Sequence, residues 1–300
     1  MILIYYASRA EKSILDPIKA ELDHRDIDNL YIDLSQCVKN IDNDKNLSKV
    51  YDYVFEQVEN CKNIKHAIVI GDRREAMFVS LALFVKQISI IQLASGDLSE
   101  TNATVDDYFR HLITILSNKQ ICFTEKSKRN SDLLLKCLNL DVDSGYFANP
   151  TLSNINIDII NKSEYIYDLI LIHPQSLSRK DTFDDMNEVL SLITNNKKTI
   201  IIRGNKDKNF DILYNAWDDL DKNNGNITIF DNLEKQAFIE VLANCDRFIT
   251  NSSCSFYEAP LLLKEKRIIR VGNRNKNREI ARYTIDDLRS AGKIINFILE

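Results

Sequence analysis

Glycine and proline are scarce in this chain, seven and four in 300 residues, so each one punctuates the fold at a place that carries information. An excess of either charge is missing too. Thirty-nine Lys and Arg against 44 Asp and Glu leave a net charge of -5, which denies the chain the basic footprint that non-specific nucleic-acid binding requires. Long apolar runs are absent. The N-terminal one, Met1 to Ala7, has no basic residues before it, and no segment reaches the ~20 residues of a membrane span. A cytoplasmic protein without membrane or nucleic-acid partners is therefore expected. Six cysteines, Cys37, Cys61, Cys122, Cys137, Cys245 and Cys254, form no Cys-x-x-Cys pair. Several sit inside apolar runs, which suits reduced core thiols and argues against a zinc site or a disulfide framework. What is present, 44% hydrophobic and 28% charged, fits two globular domains of about 150 residues each, or one large one.

Short β-branched and aliphatic runs alternate with longer stretches of helical period, the pattern of βα units around a mostly parallel sheet. Strands are expected at Ile2–Tyr6, Leu30–Leu34, His66–Ile70, Ile88–Leu93 and Gln120–Phe123, with helices between them. From Leu138 to Ser163 the chain turns polar and Asn-rich and loses its period, as a domain connection does. The alternation restarts with strands at Tyr167–Ile172, Lys198–Arg203, Ile227–Phe230, Arg247–Thr250 and Arg267–Val271, and a helix is expected at Ser255–Leu263. The expected organisation is a first α/β domain over residues 1–164, a second over 165–283, and a C-terminal amphipathic helix over 284–300 that rejoins the first.

Gly71, Gly96, Gly204 and Gly272 each lie just past an expected strand. In open α/β sheets ligands collect at those carboxyl ends, where loops and helix N-termini converge. The residues there are Ser8-Arg9, Gly71-Asp72-Arg73, Gly96-Asp97, His173-Pro174, Gly204-Asn205, Asn251-Ser252-Ser253 and Gly272-Asn273-Arg274, with Asp106, Asp107, Arg110 and His111 on the helix that follows Asp97. Asp, Arg, His and small hydroxyls are the groups that bind phosphate and move protons, so an anionic ligand is expected. Asn251-Ser252-Ser253 opens a helix in this reading and offers hydroxyls and free N–H groups at its positive end. An ordinary serine helix cap has the same appearance. Asp72, Asp97, Asp106 and Asp107 are either an acid–base cluster with mutually displaced pKa values or helix N-terminal acids favoured by the dipole.

Taken together, Ser8-Arg9-Ala10-Glu11, Gly71-Asp72-Arg73-Arg74-Glu75, Asp106-Asp107-Tyr108-Phe109-Arg110-His111, His173-Pro174, Asn205-Lys206-Asp207, Asn251-Ser252-Ser253-Cys254 and Glu258-Ala259-Pro260 resemble the UDP-N-acetylglucosamine 2-epimerases over nearly the whole chain. The Asp-Asp-x-x-Arg-His block and the His-Pro pair are similar to the hydrolysing branch, which makes N-acetylmannosamine for sialic acid synthesis. The resemblance implies a GT-B type α/β architecture, two Rossmann-like domains facing across a cleft. It implies UDP on the second domain, with Ser252 and Ser253 at the phosphates, Glu258 at the ribose, and Arg9 and Arg274 neutralising the diphosphate. Arg73, Arg110, His111, Asn205 and Asp207 complete the substrate-binding set. Asp72, Asp97, Asp106, Asp107 and His173 fall where the family keeps its acid, base and sugar-orienting groups.

The implied reaction removes the proton on sugar carbon 2, expels UDP, and adds water to the resulting double bond with inversion. It needs no metal and no nicotinamide cofactor, and the resemblance implies a homo-oligomer, dimer or tetramer. Two departures stand out. The family's usual His-Gly-Gly-Glu is Ala94-Ser95-Gly96-Asp97 here, and its Gly-Asp-Arg-Gln turn is Gly272-Asn273-Arg274-Asn275. They leave a non-hydrolysing epimerase and a UDP-sugar-binding homologue without turnover as the alternatives.

Overall fold

The short aliphatic runs are buried nearly end to end, which is what a parallel sheet covered on both faces demands. The computed structural model describes residues 1–34, 47–99, 105–153, 155, 167–204, 206–223 and 225–300. The chain divides into two compact units: Met1–Leu98 with Asp106–Asn154 and Thr284–Glu300, and Ser99–Val105 with Ile155–Tyr283.

In the first unit β1 (Ile2–Tyr6), β2 (Asn29–Asp33), β3 (His66–Ile70), β4 (Ser89–Leu93), β5 (Lys119–Cys122) and β6 (Asp143–Tyr146) form one sheet in the order β2-β1-β3-β4-β5-β6. Every neighbouring pair is parallel, with Ile2 opposite both Asn29 and His66. Helices α1 (Arg9–His24), α2 (Ser48–Asn60), α3 (Arg74–Val85), α4 (Asp106–Leu116) and α5 (Glu125–Cys137) alternate with the strands. The strand order steps from β1 to β2 on one side and to β3 on the other. That reversal opens the loops after β1 and β3 away from each other, and a crevice for ligands forms at such a point.

The second unit repeats the plan. Strands β7 (Tyr167–Ile172), β8 (Lys198–Arg203), β9 (Ile227–Phe230), β10 (Arg247–Thr250) and β11 (Ile268–Arg270) lie parallel in the order β11-β10-β7-β8-β9. Helices α6 (Arg179–Leu192), α7 (Phe210–Asn223), α8 (Lys235–Ala243) and the single turn α9 (Ala259–Leu262) intervene. Here the reversal falls between β7 and β10. Ile170, Ile172, Ile201 and Ile249 pack against Met186 and Val189 of α6 and the fully buried Trp217 of α7. The last helix, α10 (Ser290–Leu299), packs on α1 within the first unit, where Arg25 donates to Asn296 Oδ1 at 2.6 Å and to the Gly292 carbonyl at 3.1 Å.

Three expectations need correcting. The polar stretch after Leu138 contains β6, an edge strand parallel to β5; an edge strand is held by its ladder on one side and needs no apolar run to be stable. The helix expected at Ser255–Leu263 is instead a 3-10 turn over Ser253–Ser255 and the short α9. Pro260 has no N–H to give to Phe256, and the Phe256 carbonyl accepts the Ala281 N–H at 2.8 Å instead. Among the described cysteines Cys122 and Cys245 are buried free thiols as expected for core positions, but Cys137 is exposed. Asn205 and Cys37 lie outside the described residues. Among the described residues no helix is long and apolar enough to cross a membrane.

Candidate functional site

At the reversal in the first unit the chain has filled part of the crevice with its own carboxylate. Ser8 caps α1 and Glu11 closes the capping box, the Ser-x-x-Glu arrangement that satisfies free N–H groups at a helix start. Glu11 Oε2 accepts the Ala7 N–H at 2.6 Å and the Ser8 N–H at 2.9 Å. Its other oxygen faces Gly71, the residue that ends β3 at a φ of 98°, and a Cβ there would approach it to 3.2 Å. Burial raises the Glu11 carboxyl from 4.5 to about 7, with Arg73 pulling it down and Asp72 pushing it up. The donors after β1 are thus taken, and Arg9 is the exposed first residue of α1.

Beside this lies an ion-pair cluster at the carboxyl end of β3. Arg110, 2% exposed on α4, pairs with Asp72, whose side chain is 26% exposed, and its Nη1 lies 3.9 Å from Asp107 Oδ1. Arg110 Nε and Nη1 are buried and carry no hydrogen bond among the described residues. The fully buried Glu75 receives Arg73 Nε at 3.3 Å and Arg74 Nε at 3.4 Å. Asp106, the first residue of α4, is partly buried. His111 is partly buried, and burial lowers its imidazole, with Asp107 opposing and Arg110 reinforcing the shift. Asp97 is buried in the loop after β4, where Ala94 takes the left-handed φ of 59° that disfavours any side chain by about 1 kcal/mol.

In the second unit the loops after β7 and β10 are stitched together. The Asn251 side chain accepts the His173 N–H at 2.8 Å and donates to the His173 carbonyl at 2.8 Å. The Asn251 carbonyl in turn accepts Asn275 Nδ2 at 2.6 Å. Burial pushes the His173 imidazole down to about 3, with nearby Arg274 adding to the shift, so the ring is neutral near pH 7. Ser252 is committed: its N–H goes to Thr250 Oγ1 at 2.9 Å and its Oγ accepts the Cys254 N–H at 3.4 Å. It caps a 3-10 turn rather than the long helix expected to begin here, so no helix dipole of any length stands behind it. The Ser253 N–H and hydroxyl make no hydrogen bond among the described residues. Glu258 is buried at the head of α9, and Asp207 is partly buried in the loop after β8.

The structure therefore gathers Asp72, Arg73, Arg110 and Asp107 in the first unit, and His173, Ser252 and Arg274 in the second. Strand-end position picks out Asp72, Arg73, His173, Ser252 and Arg274, whereas Asp107 and Arg110 lie on the following helix α4. It passed over Glu11, whose Ser-x-x-Glu spacing was a readable signal, and Asp185, a mid-helix residue of α6 that no local pattern marks.

A sequence profile described as UDP-N-acetylglucosamine 2-epimerase matches residues 7–296. Over 233 residues the chain is 27% identical to a GDP/UDP-N,N'-diacetylbacillosamine 2-epimerase (hydrolyzing) of Campylobacter jejuni, covering 73% of this chain and 59% of that one. It is 25% identical over 247 residues to a UDP-N,N'-diacetylbacillosamine 2-epimerase (hydrolyzing) of Legionella pneumophila, covering 77% and 62%. The chain spans about three fifths of the length of these curated relatives. Among solved structures, the UDP-GlcNAc 2-epimerase of Methanocaldococcus jannaschii in complex with UDP-GlcNAc and UDP matches with a TM-score of 0.74 at 17% identity, over 99% of both chains. That likeness shows the fold, α/β of the GT-B type.

Proposed function

The chain belongs to the UDP-N-acetylglucosamine 2-epimerase family, and from that premise we propose that it is a hydrolysing 2-epimerase of the cytoplasm. It converts UDP-N-acetylglucosamine, or a close UDP-2-acetamido sugar such as a diacetamido derivative, to UDP and the free 2-epimeric sugar. The observation that carries this reading is Asp72, partly exposed at the carboxyl end of β3 and held by the buried Arg110. A carbon-bound proton is removed only by a positioned base, and the ion pair with Arg110 fixes where this carboxylate stands.

In the proposed reaction a base takes the proton from carbon 2. The C1–O bond breaks, and its electron pair leaves with UDP. Water then adds to the double bond, hydroxyl to carbon 1 and a proton to carbon 2 from the opposite face. The first unit supplies the acid–base groups Asp72, Asp97, Asp106 and Asp107, with Arg73, Arg110 and His111 as polar partners of the sugar. Arg9, Ser252, Ser253 with its uncommitted N–H and hydroxyl, and Arg274 are the residues assigned as donors to the departing diphosphate. Glu258 and Asp207 serve the nucleoside. His173, neutral near pH 7, acts as a base or a neutral hydrogen-bond partner and not as a cation. The names of the curated relatives, hydrolyzing 2-epimerases of diacetamido sugars, support the hydrolysing assignment.

The enzyme acts as a homo-oligomer through apolar side chains exposed on two adjacent helices, Leu81, Phe84 and Val85 on α3 and Tyr108, Leu112 and Ile115 on α4. Mass spectrometry of the products from a panel of UDP-sugars in oxygen-18 water tests the reaction. Label in a released 2-epimeric sugar is the expected result. An epimer still joined to UDP makes the chain a non-hydrolysing epimerase, and UDP binding without turnover of any panel member makes it a binding homologue.

A further inference from the structure

We infer that Asp185 is a positioning residue for the nucleotide end of the second unit: its buried carboxylate ties the loops after β7, β10 and β11 into one rim and so holds His173, Ser252 and Arg274 in register. What the rim binds rests on the proposed function; the tie itself rests on geometry.

Asp185 projects from the middle of α6 and is 4% exposed. Its Oδ2 accepts two amide donors, Gln175 Nε2 at 2.9 Å from the loop after β7 and Asn251 Nδ2 at 3.0 Å from the loop after β10. Asn251 is the residue that brackets the His173 backbone on both its N–H and its carbonyl. The third loop closes on the other carboxylate oxygen. Gly272, at a φ of 63°, lies so close that a Cβ would sit 2.0 Å from Asp185 Oδ1, and its N–H donates to Glu188 Oε2, one turn along α6, at 3.2 Å. Arg274 stands two residues beyond Gly272, Ser252 one beyond Asn251, and His173 two before Gln175.

Stability alone does not account for this carboxylate. Its hydrogen-bonding donors are neutral amides, burial raises its pKa despite them, and Glu188 and Asp181 add like charge. An apolar side chain of the same volume generally costs no more than a buried charge and often less. What a leucine lacks is a fixed acceptor that two loops can share while a third packs against it, and catalytic groups held loosely by about 1 Å lose much of their rate.

The test compares Asp185→Leu with Asp185→Asn, which keeps an acceptor oxygen in place. The first readout is the imidazole titration of His173 followed by NMR, its signal picked out of the four histidines by its loss in His173→Gln. The second is UDP affinity by calorimetry, with thermal melting to verify the fold. Asp185→Leu is expected to return His173 toward the ordinary histidine range and to weaken UDP by about tenfold or more, which is about 1.4 kcal/mol. Asp185→Asn should stay within about threefold of the parent, as one retained acceptor preserves both amide bonds. Should Asp185→Leu fail to melt cooperatively, Asp185→Ser, too short to reach either amide, takes its place. A folded Leu or Ser variant with the parental His173 titration and UDP affinity overturns the inference. If the parent itself ignores UDP while His173 responds as expected, the proposed function falls and the tie stands.

Discussion

Glu11 is buried and His173 half-buried, and their pH preferences run in opposite directions. A carboxyl with a higher pKa in the folded chain than in the unfolded one binds its proton more tightly when folded, so its contribution to stability is full at low pH and is lost as the pH rises through the folded value. For Glu11, raised from 4.5 to about 7, that loss is about 3 kcal/mol. His173, pushed down to about 3, behaves conversely: its contribution is full above 6.5 and is lost as the pH falls. The two are separated by difference. Urea unfolding of Glu11→Gln, which has no charge to bury, should gain on the parent by about 3 kcal/mol between pH 4.5 and 7.5; a flat difference would place the titration elsewhere. At Asp72, exchange for Asn removes the carboxylate proposed for the acid–base work and keeps Arg110 in place. Turnover of the substrate identified by the oxygen-18 assay should fall by at least about a hundredfold, with the Kd for UDP within about threefold. Equal losses of both would take Asp72 out of the acid–base role.

Elements meet in different ways at the two ends of the second sheet. At the amino ends Asp168, 1% exposed on β7, receives Lys197, just before β8, at 2.8 Å, and Arg247, the first residue of β10, at 3.1 Å through Nε. Lys197 also reaches Asp246, and Arg247 the Leu192 carbonyl at 3.0 Å. These pairs brace three strands far from any ligand group. Breaking a buried pair costs about 3 to 5 kcal/mol, and because both cations here keep some contact with water, Asp168→Ala should cost about 2 to 3 kcal/mol. UDP affinity should not change. Equilibrium unfolding at pH 7 and calorimetry on the same sample measure both, and a loss of UDP affinity in a stable variant would contradict this division between the ends of the sheet. At the carboxyl ends Arg203 pairs with Asp218 and, at 3.1 Å, with Asp231, while side-chain amides and a close-packed glycine join the loops after β7, β10 and β11.

Across the whole molecule, the exposed apolar side chains of α3 and α4 are a surface without an evident aqueous role. No charged residue occurs from Ala76 to Val85 or from Leu112 to Leu116, so a surface that fits these stretches is uncharged and apolar, and the proposed occupant is a second copy of the chain. Sedimentation velocity at micromolar concentration should find a dimer or larger assembly, and Phe84→Glu combined with Leu112→Glu should give a folded monomer by circular dichroism. A monomeric parent would remove the homo-oligomer from the proposal.

Much of the architecture was legible in local pattern, and the limits of that legibility are physical. Aliphatic runs such as Ile2–Tyr6 and His66–Ile70 announce strands because a strand buried on both faces is filled mainly by apolar side chains, and scarce glycines mark where the chain leaves the sheet. β6 was hidden because its four residues, Asp-Ser-Gly-Tyr, are held by a ladder and not by burial. Strand order is set by packing between distant segments, so no window of residues contains it, and that order puts Gly71 over Glu11 and Asn251 beside His173. The chain's chemistry is written into residue types at strand ends. Which carboxylates keep contact with water and which are buried depends on three-dimensional company alone, as Asp72 beside Arg110 and Asp185 beneath Gly272 illustrate, because a carboxylate's donors and its contact with water are both fixed only when the chain folds.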